Sequence, residues 1–284
     1  MRPSFGPEAL VSAAFSRCSR QGRAAFLPFL VAGDPNPLVS KELLAAVARG
    51  GADLLELGIP FSDPLADGPA IASASARALA GGMSLAGALR LVRDLGKRLG
   101  EIPVLGFTYY NVLLTHGLES TAQSFAACGL CGVIVPDVPL EESGPLRSAF
   151  ARYGLVVPML VSPTTPPDRA VRIAQAASGF VYVVSRAGVT GTHAGIGEIR
   201  AQIELLRRAT ATPIVVGFGV SHVRAVRQLA AQADGVIVGS ALVECAAAAR
   251  DSVEAIEAVA SRCRELARGC LRQPAVAGNL AASE

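Results

Sequence analysis

The chain reads as an α/β protein folded as a (β/α)8 TIM barrel with a short N-terminal extra helix. Three observations predict this. Short runs rich in Val, Ile and Leu, with little polar alternation, recur between helical stretches; strands covered on both faces, as in a parallel sheet wrapped by helices, read this way. Eight such strand–helix units follow one another, whereas a doubly wound sheet usually has five or six strands. The length of 284 residues suits one barrel, which typically needs about 250, and no linker or shift of composition marks a second unit.

Taken in order, residues 8–15 form the short amphipathic extra helix. Strands are predicted at 25–31, 53–57, 103–108, 132–135, 156–160, 180–184, 213–217 and 235–238. Helical period appears at 38–49, 84–99, 119–127, 141–153, 167–177, 199–209, 223–231 and 241–268. Ser84, Pro167-Asp168 and Ser221 open three of these as capping residues or a first-turn Pro. Gly50-Gly51, Gly129 and Gly154 follow helices, where a left-handed residue is favoured. Residues 1–272 are therefore expected to form a single barrel domain. Residues 273–284 show neither period and are expected to be a flexible C-terminal tail. Two loops are long for such a barrel, 58–69 after the second strand and 186–197 after the sixth. Barrel enzymes build their active sites from the loops that follow strands.

Composition removes several classes of function. Half the residues are hydrophobic, 17% are charged and the net charge is +3, so no basic patch for nucleic acid or a membrane surface is expected. No apolar stretch is long enough to span a bilayer, and the N-terminus lacks a signal-peptide core. Cys128-Gly-Leu-Cys131 is a C-x-x-C without a second ligand pair, read as two small buried or half-buried residues. Unpaired thiols suit a reducing, cytoplasmic setting. Neither Lys41 nor Lys97 lies on a strand, which argues against a Schiff-base mechanism. His116, His193 and His222 have no metal-ligand spacing, and no G-x-S-x-G elbow occurs. No metal or cofactor is expected, and carbon–carbon chemistry here falls to carboxylates.

Glu56 sits in an apolar strand near its C-terminal end. A buried carboxylate without a partner is costly, so it either pairs or stays protonated; at that end of a barrel strand it is a catalytic candidate as well as an ion-pair candidate. Asp63 and Asp67 follow on a Pro- and Gly-punctuated loop that can fold over the barrel mouth. Two carboxyls in different surroundings can divide acid and base duties. Asp before Gly is also a common turn residue, and spacing does not choose between Asp63 and Asp67. Late in the chain, Gly188-Val-Thr190-Gly191, Gly217-Phe-Gly219 and Gly239-Ser240 follow three successive strands, the last leading into a helix. Gly allows close backbone approach and a helix N-terminus favours an anion, so these loops form a candidate phosphate cradle.

Together these segments resemble the tryptophan synthase alpha subunit family. Leu55-Glu56-Leu-Gly-Ile-Pro-Phe-Ser-Asp-Pro-Leu-Ala-Asp67-Gly-Pro69 is similar to its signature. Pro28-Phe-Leu-Val-Ala-Gly-Asp-Pro35, Thr108-Tyr-Tyr-Asn111, Pro136-Asp137-Val-Pro139-Leu-Glu-Glu142, Ser185-Arg-Ala-Gly-Val-Thr-Gly191, Gly217-Phe-Gly219-Val-Ser and Gly235-Val-Ile-Val-Gly-Ser240 are similar to further family segments, in the same order. The resemblance implies a lyase that cleaves indole-3-glycerol phosphate to indole and glyceraldehyde 3-phosphate in tryptophan biosynthesis. It implies Glu56 as the acid–base carboxylate, Asp67 as the partner of the indole nitrogen and Tyr182 beside Glu56. It further implies Phe26, Phe107 and Tyr109 around the indole, and Thr190, Gly191, Gly219, Gly239 and Ser240 on the phosphate. Pro60 and Asp63 would meet a beta subunit within an alpha2-beta2 tetramer. The chain departs from the family in having Val112 where many members have Pro, and in the Thr-His-Ala-Gly that follows Gly191.

Overall fold

The apolar runs become short parallel strands because each can bury both faces, one in the barrel interior and one under a helix. The computed structural model describes residues 6–185 and 193–272, without the side chains of residues 97 and 193–196. An N-terminal helix α1 (Pro7–Arg20) precedes β1 (Ala25–Val31), α2 (Pro37–Arg49), β2 (Leu55–Gly58), α3 (Pro69–Ala80), α4 (Leu85–Leu99) and β3 (Val104–Phe107). The chain continues through α5 (Tyr110–His116), α6 (Leu118–Cys128), β4 (Gly132–Ile134), a 3-10 turn (Leu140–Glu142), α7 (Gly144–Ala151) and β5 (Met159–Val161). It ends with α8 (Pro167–Ala176), β6 (Val181–Val184), α9 (His193–Ala209), β7 (Ile214–Gly217), α10 (Val223–Ala230), β8 (Gly235–Val238), α11 (Ser240–Ala247) and α12 (Ser252–Arg268).

All eight strands join one sheet in the order β4-β3-β2-β1-β8-β7-β6-β5, each recorded pair parallel. The two ends of that order meet at a single bridge between Gly132 and Val156, where Val133 N–H donates to the Val156 carbonyl at 3.0 Å and Val156 N–H donates to Cys131 at 2.9 Å. The expected (β/α)8 barrel is thus the observed fold. A Cβ at Gly132 would fall on the Val156 carbonyl, so only glycine lets the two strands close. At the opposite end of the strands from the long loops, Arg23 forks onto Asp53 at 2.5 and 2.7 Å, and Phe26 N–H donates to the same carboxylate at 3.0 Å. This pair ties the start of β1 to the approach to β2.

Several elements differ from expectation for local reasons. The fifth strand begins at Met159 rather than 156 because Pro158 has no N–H for the ladder. The helix expected at 141–153 divides into the 3-10 turn and α7, with Pro145 in the first turn of the latter. The stretch 241–268 divides as well: Asp251 accepts from the N–H groups of Val253 and Glu254 and so starts α12 afresh. Within the expected loop 186–197, α9 already begins at His193. Two helices were not foreseen, α3 and α5; α3 is an Ala- and Ser-rich run with no strong apolar stripe, started by Pro69 at a first-turn position. Cys131 is buried and Cys128 half-buried, as read from the sequence, and His222 caps α10 through Ala225 N–H. The expected tail at 273–284 lies outside the described residues.

The closure predicts that Gly132→Ala destabilises the fold by about 2–3 kcal/mol, since the added carbon has only backbone to displace. Urea unfolding checks this; an unchanged midpoint would mean that the bridge at Val156 does not hold the barrel.

Candidate active site

Side chains alternate in and out of the barrel along each strand, so register decides which residues face the interior. Glu56 pairs with Phe29 on one side and Leu105 on the other. Two residues on, and so on the same face, Gly58 pairs with Phe107. Glu56 is only 2% exposed, and its Oε2 has no hydrogen-bond partner among the described residues. Burial first, and then the nearby Asp67 carboxylate, push the Glu56 carboxyl up to about 8. At neutral pH it is a protonated acid facing an open cavity.

Asp67 reaches that cavity because the loop after β2 folds back on itself. Leu65 N–H donates to the Asp63 carbonyl at 2.9 Å, Asp67 N–H donates to Pro64 at 3.0 Å, and Ala66 N–H donates to the Tyr109 hydroxyl at 3.0 Å. The same hydroxyl hydrogen-bonds the Asp67 side chain, and Phe61 stacks on the Tyr109 ring with centroids 5.1 Å apart. Burial raises the Asp67 carboxyl to about 6, with the Tyr109 hydrogen bond working against the rise. The two carboxyls therefore differ in protonation across neutral pH, one an acid and the other a carboxylate. This geometry decides what spacing left open: Asp67 lines the cavity, whereas Asp63 is exposed and accepts from the Ser62 hydroxyl at 2.5 Å.

The cavity holds about 410 Å³. Phe29 and Phe107 meet edge to face in its wall, with centroids 5.7 Å apart. Tyr182 lines it from β6; burial, Glu56 and Asp67, in that order, raise its phenol far above the ordinary value, so it stays neutral. A Cβ at Gly217 would overlap the Tyr182 ring, so glycine leaves that ring its place. On the side of β7 and β8 the lining passes to Gly219, Gly239 and Ser240. Gly239 is the N-cap of α11, whose first residue is Ser240. A helix N-terminus presents unsatisfied N–H groups and the positive end of its dipole to an anion. Among the described residues, no Lys or Arg lines the cavity and no cluster suited to a metal ion occurs.

One cavity thus brings together Glu56, Asp67, Phe107, Tyr182, Gly219, Gly239 and Ser240. Phe26 is not part of it: it is fully buried, lies an odd number of residues from Phe29, and so faces the other side of β1. Phe29 takes the place expected of Phe26. Tyr109 is not in the lining either; it stands behind the wall and holds Ala66 and Asp67. Pro60 is buried, so the surface of its loop is carried instead by Ser62, Asp63 and Leu65, the last 96% exposed. Thr190 and Gly191 lie outside the described residues. Ile71, Ser185, Phe218 and Ile237 also line the cavity and were not singled out from the sequence; for Phe29 and Ile237, counting by two along the strands would have found them.

Fold and site together define a class: a barrel with a buried acid, a neighbouring carboxylate and a helix N-terminus around one cavity. Comparison with known proteins narrows the class. The chain matches the family model of the tryptophan synthase alpha chain over residues 15–270. It is 46% identical over 236 residues to the tryptophan synthase alpha chain of Opitutus terrae, covering 83% of this chain and 88% of that one. The alpha chain of Prochlorococcus marinus is 43% identical over 268 residues, covering 94% and 97%. The crystal structure of tryptophan synthase subunit alpha from Legionella pneumophila is similar with a TM-score of 0.82 at 32% identity, covering 92% and 98%. The chain belongs to the tryptophan synthase alpha chain family, carbon–carbon lyases that cleave indole-3-glycerol phosphate to indole and glyceraldehyde 3-phosphate in tryptophan biosynthesis.

The raised Glu56 carboxyl has a consequence for stability. Between its ordinary value of 4.5 and about 8, the unfolded chain has lost this proton while the folded chain keeps it. The contribution is therefore fully present below the ordinary value and lost as pH rises through about 8. Glu56→Gln, which cannot ionise, is expected to gain on the parent in urea unfolding as pH rises across that window. Parallel stability curves for the two proteins would show that Glu56 is not held protonated by the fold.

Proposed function

We propose that Glu56 is the acid and base of the retro-aldol cleavage, with Asp67 as its electrostatic partner. The observation that carries this is the buried Glu56 carboxyl, its Oε2 without a partner among the described residues, in the same cavity as Asp67 and the start of α11. Indole is a poor leaving carbanion, so its ring must first be made electron-poor. Protonated Glu56 delivers a proton to indole C3, and ionised Asp67 accepts the ring N–H and stabilises the positive charge that spreads onto nitrogen. Glu56, now a carboxylate, removes the proton of the C3′ hydroxyl. The C3–C3′ bond breaks, its electron pair restores the indole ring, and the aldehyde of glyceraldehyde 3-phosphate forms. Glu56 ends protonated, ready for the next turnover.

The other residues orient and shelter the substrate. Phe29, Phe107 and Ile237 supply the apolar wall for the ring, and Tyr182 stays a neutral phenol beside Glu56. Gly219, Gly239 and Ser240 hold the phosphate, remote from the bond that breaks, so binding energy there fixes the reacting atoms in place. Tyr109 sets the position of Asp67 rather than touching the ring. Thr190 and Gly191 would join the phosphate site from the neighbouring loop. Residues 1–272 act as one barrel domain in this reading, and the reaction needs no metal or organic cofactor.

The beta subunit of the same enzyme is the proposed partner, in an alpha2-beta2 tetramer. The loop after β2 places the exposed Asp63 and Leu65 within a few residues of Asp67, so a partner resting on this loop would bear directly on the catalytic carboxylate. No described helix is long and apolar enough to cross a membrane, and the cytoplasm is the proposed compartment.

Release of glyceraldehyde 3-phosphate from indole-3-glycerol phosphate tests the reading, with and without an added beta subunit. Slow release alone and strong stimulation by beta are expected; equal rates would remove the partner from this account. Glu56→Gln and Asp67→Asn should each lower kcat by about 100-fold or more while the fold persists, and ordinary turnover in either would refute its assigned role. Since the reaction needs Glu56 protonated and Asp67 ionised, kcat/KM of the parent should peak between about 6 and about 8, falling on the acid side with Asp67 and on the alkaline side with Glu56. A rate still rising above pH 9 would reverse the protonation states.

A further inference from the structure

Phe218 is the one non-glycine residue with a positive φ, at 70°, among the described residues, and Gly219 follows it at 69°. A left-handed backbone is uncommon for an aromatic residue and carries a conformational cost, so something must hold Phe218 there. The holding group comes from the next strand. Ser185 directly follows β6, is 2% exposed and lines the cavity. Its N–H donates to the Gly217 carbonyl at 2.9 Å, continuing the β6–β7 ladder. Its hydroxyl lies 3.0 Å from the same carbonyl and hydrogen-bonds the Phe218 carbonyl as well. The hydroxyl thus shares its one proton between the carbonyls of Gly217 and Phe218, and the turn at these residues carries Phe218, Gly219 and Val220 into the cavity wall. The Tyr182 ring packs on Phe218 with centroids 5.7 Å apart, from the catalytic side.

We propose that Ser185 is a positioning residue for the anion end of the cavity: its hydroxyl fixes the left-handed turn at Phe218 and so places the Gly219 backbone where the substrate phosphate binds. This rests on the reading of Gly219, Gly239 and Ser240 as the phosphate site. Alanine at 185 removes the hydroxyl and leaves the backbone ladder bond intact, so β6 and β7 remain paired while the turn loses its hold.

Glycerol 3-phosphate and indole, bound separately by calorimetry, separate the two ends of the site. In Ser185→Ala the Kd for glycerol 3-phosphate is expected to rise about tenfold with that for indole within threefold. In turnover, KM for indole-3-glycerol phosphate rises by a similar factor and kcat changes little. Ser185→Thr, which keeps the hydroxyl, should restore most of the affinity. In a Phe218→Gly background the left-handed turn costs little, so adding Ser185→Ala should weaken glycerol 3-phosphate binding by less than threefold. A folded Ser185→Ala that binds glycerol 3-phosphate like the parent, or the same tenfold loss with glycine at 218, overturns the proposal. A parent that binds glycerol 3-phosphate no better than glycerol overturns the phosphate reading, and this proposal with it.

Discussion

One residue, Val156, closes this barrel through its backbone N–H and carbonyl. Seven ladders curl the sheet, and the ends meet where Val156 accepts from Val133 and donates to Cys131, across the bare Cα of Gly132. Everything at the mouth presupposes that meeting. It sets the curvature that lets β1, β2 and β3 aim Phe29, Glu56 and Phe107 at residues from β6, β7 and β8 on the far side. A side chain at 132 would not merely crowd a core; it would press on the backbone that makes the interior a cavity at all.

Within that interior the chemistry follows from unequal solvation of two carboxyls. Glu56 is enclosed by apolar strands and its Oε2 has no hydrogen-bond partner among the described residues, so it keeps its proton. Asp67 arrives on a loop, is less enclosed, and takes a hydrogen bond from Tyr109 that favours its charged form. The negative charge of Asp67 in turn helps to keep Glu56 neutral. Acid and carboxylate are thus assigned by position in the fold and not by residue type.

Much of this was legible in the residues. Eight Val-, Ile- and Leu-rich runs fixed the strand count, because doubly covered strands need little else. Glu56 stood out because a carboxylate interrupts such a run. What stayed hidden depends on direction and torsion. Phe26 and Phe29 are equally apolar and three residues apart; only the register of β1 shows that Phe29 faces Glu56. Pro60 sits in the loop of Asp63 but is buried, which hydropathy does not reveal for a residue between Ile59 and Phe61. The helix α3 carries too many small residues to show an apolar stripe. The positive φ of Phe218 leaves no mark on the sequence, since the residue that sustains it, Ser185, is far away in the chain.

The start of α11 at the cavity wall, with Gly239 as its N-cap, affects how an anion would be held. Backbone dipoles and a helix terminus act within about a turn of the helix end, whereas a cluster of basic side chains would cast a field across the Debye length, about 10 Å at 0.1 M salt. An anion seated at Gly239 and Ser240 would feel these groups mainly on contact. Selection among anions at that end would then draw on shape and hydrogen-bond geometry as well as on charge.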